Sequence, residues 1–144
     1  MNKDQTISDI EQLLHEMSVM LDQKGREILA QSAVTFPQFS ALLWLKNDGD
    51  MTIGELSQKL FLACSTTTDL IDRMERSEIV ERVRDDRDRR IIRIHILPKG
   101  HKVIDEVIAA RRIHLTEVFL SISDDQMLEM KKYLALLCGE LKKT

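Results

Sequence analysis

Apolar residues recur at alternating spacings of three and four at both ends of the chain. Near the start they are Ile7, Ile10, Leu14, Met17, Leu21 and Ile28, with Lys24 filling one gap, and near the end Met127, Met130, Leu134, Leu137 and Leu141. A repeat averaging about 3.5 residues keeps one stripe of a helix facing a partner helix. The pattern predicts a first helix over about 8–30 and a last helix through the second stripe. Their seams, notably Ile10, Leu14, Met17, Met127, Met130, Leu134, Leu137 and Leu141, are expected to join two copies of the chain, because unpartnered they would leave apolar surface in water. A further helix is predicted from Pro98 to about Leu120 on Ile104, Val107, Ile108, Leu115, Val118 and Phe119.

The middle of the chain is patterned differently. Phe39, Leu42 and Leu43 mark a short helix and Ile53, Leu56 and Leu60 another, with Asn47-Asp48-Gly49-Asp50 as the turn between them. A third helix is predicted over about 65–77, with Leu70, Met74, Thr67 and Ile71 inward. Beyond it Ile79 to Arg84 is rich in β-branched residues, and Ile92, Ile94 and Ile96 alternate with Arg93 and His95 as a half-buried strand does. Only Asp85-Asp86-Arg87-Asp88-Arg89-Arg90 separates the two runs, which makes it a charged hairpin tip. Helix, helix, helix, hairpin is the order of a winged helix-turn-helix. The predicted fold class is mainly α with a small β-hairpin wing, flanked by N- and C-terminal dimerisation helices.

Four positions carry the Ser/Thr-x-x-Glu/Gln signature of a reciprocal helix cap, namely Ser8/Glu11, Thr35/Gln38, Thr52/Glu55 and Ser123/Gln126. Each opens an apolar stripe of helical period, so each is read as a helix start. Pro37 supports the second, since a first-turn proline loses no needed N–H.

A chain of 144 residues is expected to form one domain, 1–144, with the winged lobe over about 34–97 and the dimerisation helices over about 1–33 and 98–144. Charged residues, 31% of the chain, break the apolar runs too often for a membrane span, and the opening MNKDQTISDIEQ lacks the apolar core of a signal peptide. A cytoplasmic protein with no membrane partner is expected. Cys64 and Cys138 are far apart, and His15, His95, His101 and His114 show no ligand spacing, so no metal, disulfide or cofactor is expected. Cys64, at a predicted helix start, reads as a small packing residue, with thiol oxidation as the alternative. Cys138 is expected to be buried or near the dimer seam, and Met17, Met20, Met127 and Met130 to be core, with a pliable ligand pocket as the alternative.

Charge is unevenly placed. Residues 73–93 hold eight arginines against six carboxylates, a net +2, on a chain whose total is −3. A guanidinium fork suits phosphate oxygens and guanine edges better than an ammonium does, so this stretch points to duplex DNA. The candidate contacts are Ser65, Thr66, Thr68, Asp69, Arg73 and Arg76 on the outward side of the third helix, where Asp72 is also expected, and Arg87, Asp88, Arg89 and Arg90 on the wing. Consecutive Thr66, Thr67 and Thr68 exceed what one cap needs and are poor helix formers.

The stretch from Val34 to Gly100 resembles the MarR family. The matching pieces are Val34-Thr35-Phe36-Pro37-Gln38-Phe39, Met51-Thr52-Ile53-Gly54-Glu55-Leu56, Leu70-Ile71-Asp72-Arg73-Met74-Glu75, and Asp85-Asp86-Arg87-Asp88-Arg89-Arg90 followed by Pro98-Lys99-Gly100. The resemblance implies that Arg90 enters a minor groove with Asp88 orienting it, that Thr66 and Thr68 face a major groove, and that a small aromatic or lipophilic effector binds between the dimer helices and the lobe. It also implies a sequence-specific regulator, a repressor, acting as a homodimer on a pseudo-palindromic operator. Three positions depart from the family pattern: Glu78 stands where Gly is usual, Leu97 where a capping Thr is usual, and the first helix lacks the cysteine of the peroxide-sensing branch.

A winged helix can also serve protein or RNA contact, and Asp69 on the outward face is compatible with that alternative or with a cytosine amino group. Catalysis finds no support, because the chain has no glycine-rich phosphate loop, nucleophile elbow or ligand cluster.

Overall fold

The computed structural model describes all 144 residues. In chain order the helices are α1 (Lys3–Ala30), α2 (Phe36–Asp48), α3 (Ile53–Leu60) and α4 (Cys64–Arg76). The strands β1 (Val80–Arg84) and β2 (Ile92–Ile96) follow, then α5 (Pro98–Val118), a 3-10 turn (Phe119–Ser121) and α6 (Asp124–Leu141). The mainly helical winged-helix class expected from the pattern is the one observed. Two compact units divide the chain at Ile108/Ala109, within α5.

The first unit carries the core. On α2 Phe39, Ala41, Leu42 and Leu45 are buried, on α3 Leu56, on α4 Ile71 and Met74, on the wing Val80, Ile94 and Ile96, and on α5 Val103, Ile104 and Val107. Leu29 at the end of α1 and Val34 join the same cluster. Two hydroxyls lie inside it. Ser57 donates to the Ile53 carbonyl at 2.7 Å and Thr67 to the Ala63 carbonyl at 3.1 Å, so neither leaves a buried polar atom unmatched.

The strands pair antiparallel from Val80 with Ile96 to Arg84 with Ile92, as the alternation requires. Met51 bridges Ile94, and its carbonyl accepts from the Ile94 N–H at 2.7 Å, which ties the wing to the turn before α3. His95 Nδ1 lies 3.0 Å from the Asp50 carboxylate across the same seam.

Helix starts correct part of the sequence reading. Thr35/Gln38 and Ser123/Gln126 are full capping boxes. Thr52 accepts from the Glu55 N–H at 3.1 Å but receives no reciprocal bond, so only half of that box forms. Ser8/Glu11 is not a start at all. The cap lies six residues earlier, where Asn2 accepts from the Gln5 N–H at 3.1 Å. An Asn cap upstream lets Asp4 to Ser8, all exposed but the half-buried Thr6, continue the helix, and Ser8 becomes an ordinary interior position. At the far end α5 stops at Val118, and Phe119 belongs to the 3-10 turn.

Glu78 takes the left-handed conformation, φ 62°, that its position demands. The Ile79 N–H reaches back to the Met74 carbonyl at 3.0 Å and closes the turn into β1. Gly100 is constrained for a different reason. A Cβ there would lie 2.5 Å from the Ile79 carbonyl oxygen and 2.7 Å from Ile96 Cγ2, so the first turn of α5 meets Ile79, just before β1, and Ile96 of β2 at a distance only glycine permits. Gly100→Ala is expected to destabilise the fold by about 2 kcal/mol through overpacking, measured as a lowered urea midpoint with unchanged m-value.

The second unit, Ala109–Thr144, buries little of its own surface. Leu115, Val118, Met127, Met130, Leu134 and Leu141 are all exposed on a single chain.

Candidate nucleic-acid interface

Helix α4 has two sides of opposite character. Thr67, Ile71 and Met74 are fully buried, whereas Ser65, Thr66, Asp69, Arg73 and Arg76 are exposed. The buried line centres on Ile71, and Leu70 is only half-buried. The helix opens at Ala63, which provides no side-chain cap, so neither Ser65 nor Thr66 spends its hydroxyl on capping. The amides of the first turn remain directed outward, an arrangement that favours anions. Thr68 is half-buried and donates to the Cys64 carbonyl at 2.9 Å. Its hydroxyl proton is thereby committed, and what it presents outward is an acceptor oxygen and a methyl group.

The wing tip is organised by two aspartates. One oxygen of Asp85 accepts the N–H groups of Arg87 and Asp88 at 3.0 and 2.9 Å, while the other takes the Arg93 guanidinium. The backbone donors, with Arg93, hold the Asp85 carboxyl below the usual aspartate range. Asp88 grips Arg90 as a fork, Nε to one oxygen and Nη2 to the other, both at 3.0 Å, and also accepts the Arg90 N–H at 3.1 Å. These bonds hold Asp88 below its usual range and raise the Arg90 guanidinium. The Arg90 side chain is nevertheless 91% exposed. So open an ion pair adds little stability. Its consequence is direction: the free edge of the guanidinium is aimed before anything binds. Arg73, Arg76, Arg87 and Arg89 are exposed and make none of the chain's salt bridges.

Sequence reasoning missed the clamp between wing and helix. Arg82 on β1 donates through Nη2 to Asp72 and through Nη1 to Glu75, both at 2.7 Å, and its backbone N–H meets Glu75 at 3.0 Å. Burial would lower the Arg82 guanidinium, but the bonds to Asp72 and Glu75 raise it above the usual value. Asp72, expected to face outward, is turned to Arg82 and is half-buried, because the i,i+3 pair of carboxylates on α4 converges on one strand position. The only sequence signal was that spacing opposite an arginine in a predicted strand. Arg82→Met is expected to cost about 1 kcal/mol after allowance for solvent screening. It should also accelerate hydrogen exchange of the wing amides while leaving those of α2 unchanged.

Other expectations change as well. Cys64 is exposed and does not pack, since helix α4 turns Thr67 and Ile71 inward instead; Cys138 is exposed on the chain, which removes burial and leaves the expectation of a place near the dimer seam; Met17, Met20, Met127 and Met130 are exposed too and therefore do not belong to the protomer core. On α1 Ile10, Leu14 and Met17 are exposed, and on α6 Met127, Met130, Leu134 and Leu141 are exposed while Leu137 is half-buried. No helix is long and apolar enough to cross a membrane.

A MarR-family profile matches residues 34–92. The chain is 53% identical to the uncharacterized HTH-type transcriptional regulator YsmB of Bacillus subtilis over 95% of its own length and 94% of the relative's. It belongs to the MarR family. A MarR family protein from Bacillus stearothermophilus superposes with a TM-score of 0.91 at 46% identity, covering 99% of both chains. The HTH-type transcriptional repressor MdtR of Bacillus subtilis is 25% identical over 88% of this MarR chain and 81% of its own length.

Proposed function

We propose that this MarR-family protein is a transcriptional regulator that binds duplex DNA sequence-specifically as a homodimer, represses, and is released by a small aromatic or lipophilic effector. The observation that carries the reading is the Asp88–Arg90 fork, a fully exposed guanidinium fixed in direction at the tip of a hairpin. A narrow minor groove has the strong negative potential that such a group fits. The exposed side of α4 supplies the other half: Ser65, Thr66 and Thr68 with Asp69 toward base edges of the major groove, and Arg73, Arg76, Arg87 and Arg89 toward phosphates. Asp69 is suited to accept from a cytosine amino group.

Repression is supported by the relationship to MdtR, a repressor by name. The dimer is supported by the apolar faces of α1 and α6, each exposed on a single chain. Support for an effector comes from an open cavity of about 360 Å³ where α1 turns into α2, lined by Arg26, Leu29, Val34 and Phe36 among others.

Selection of bound fragments from a genomic or randomised library by the purified protein tests the reading. Recovered half-sites related by a two-fold axis are expected, with affinity falling steeply as salt rises because counterions are released. Retention of only RNA, or of only a protein partner with salt-insensitive affinity, would contradict it. Within the recovered site Thr68→Ala is expected to relax preference at particular base pairs, by about 1 kcal/mol each, in titrations against single-base variants.

A further inference from the structure

The turn between α3 and α4 contains a residue whose conformation and exposure are both unfavourable within the chain. Phe61 adopts the left-handed conformation, φ 55° and ψ 40°, and its side chain is 93% exposed. The turn itself is an ordinary helix stop, with the Leu62 N–H bonded to the Ser57 carbonyl at 3.1 Å and the Phe61 N–H to the Gln58 carbonyl at 3.3 Å. Glycine would form the same turn without crowding its Cβ, and helix-turn-helix turns often contain one. A phenylalanine here accepts backbone strain and leaves an aromatic ring in water, and it buries nothing in return. Strain retained at an exposed position points outward to what the residue meets.

Its surroundings say what that is. Phe61 begins an unbroken exposed run through Leu62, Ala63, Cys64, Ser65 and Thr66, so its ring is continuous with the opening turn of α4. In this motif the helix after the turn enters the major groove N-terminus first, which brings the turn to the groove wall. A phenyl ring can neither donate to nor accept from a phosphate. The apolar group that the major groove displays at base edges is the thymine C5-methyl, and Phe is among the side chains that meet it.

We propose that Phe61 is a specificity-determining residue whose ring packs on a thymine methyl in each half-site. This rests on the reading of the protein as a DNA-binding regulator and adds a base contact supplied by the turn rather than by α4 or the wing.

The test uses a duplex selected from a randomised library by the purified full-length protein. Each thymine is replaced in turn by uracil, which removes the methyl and nothing else. The wild-type protein is expected to lose about fourfold in affinity at one thymine per half-site, the worth of one buried methyl. Phe61→Gly should bind the unsubstituted duplex roughly tenfold more weakly and show no further loss at that thymine, while its melting temperature stays equal to the wild type's or rises as the turn relaxes. Loss of affinity together with retained or raised stability separates a contact from a folding defect. Unchanged affinity of Phe61→Gly, or weakened binding with every uracil effect intact, would overturn the proposal and leave DNA binding standing. Failure of the wild-type protein to select any duplex would overturn both.

Discussion

Leu134→Asp is expected to turn the protein from a dimer into a folded monomer and to lower operator affinity by about a hundredfold or more. Leu134 is 52% exposed on a single chain and lies between Met130 and Leu141, which are exposed too. In the proposed dimer this stripe is covered, and a two-fold interface would receive the substitution twice. Burying an unpaired carboxylate costs several kcal/mol, so the association equilibrium should yield before the carboxylate is buried. The fold of the first unit should survive, because its core runs from Leu29 to Val107 and does not include Leu134. Sedimentation at micromolar concentration reads the mass, far-UV circular dichroism reads the fold, and a titration reads the loss of the second half-site. A wild-type monomer, or a Leu134→Asp dimer, would sink the dimer reading.

Arg90→Ala is expected to weaken operator binding by about tenfold per wing and so by about a hundredfold for two wings, with no change in melting temperature. The side chain buries nothing, and its only partner is Asp88. The loss should be broad across single-base variants and should shrink when A·T pairs under the wing are replaced by G·C, since a guanidinium there reads groove width more than base identity. Asp88→Asn should fall between wild type and Arg90→Ala, because it keeps a hydrogen-bond acceptor but loses the charge that locks the fork. Asp88 is depressed in the folded protein, chiefly by Arg90. A group depressed on folding contributes fully above its unfolded value and loses that contribution as pH falls through the folded one. The fork should therefore persist throughout the neutral and mildly acid range and open only below about pH 4. Normal operator binding by Arg90→Ala would remove the wing from the interface.

The helical framework was readable from period alone, and the capping boxes at Thr35 and Ser123 were readable from four residues each. The same four-residue rule failed at Ser8, because a local match inside a solvent-facing stretch cannot reveal that Asn2 has already begun the helix. Glu78 was foreseen as an awkward turn residue and takes the positive φ. Phe61 gave no such warning, since nothing in its type announces a left-handed turn.

What the sequence by itself determined about this protein is the set of elements and, within the winged lobe, the apolar side of each that forms the core, because both follow from the spacing of apolar side chains along one element. The exposure of Ser65, Thr66, Asp69, Arg73 and Arg76 on α4 was legible in the same way, as the complement of that spacing. Only the tertiary structure decided how the wing is held to that helix, where Arg82 gathers Asp72 and Glu75 from ten and seven residues away, and how its tip is braced, where one Asp85 oxygen takes the Arg87 and Asp88 amides and the other takes Arg93 of β2. Only the fold, again, brought Gly100 against Ile79 and Ile96. Charges and close approaches of this kind have no period, and their partners are chosen by the geometry of packing rather than by distance along the chain.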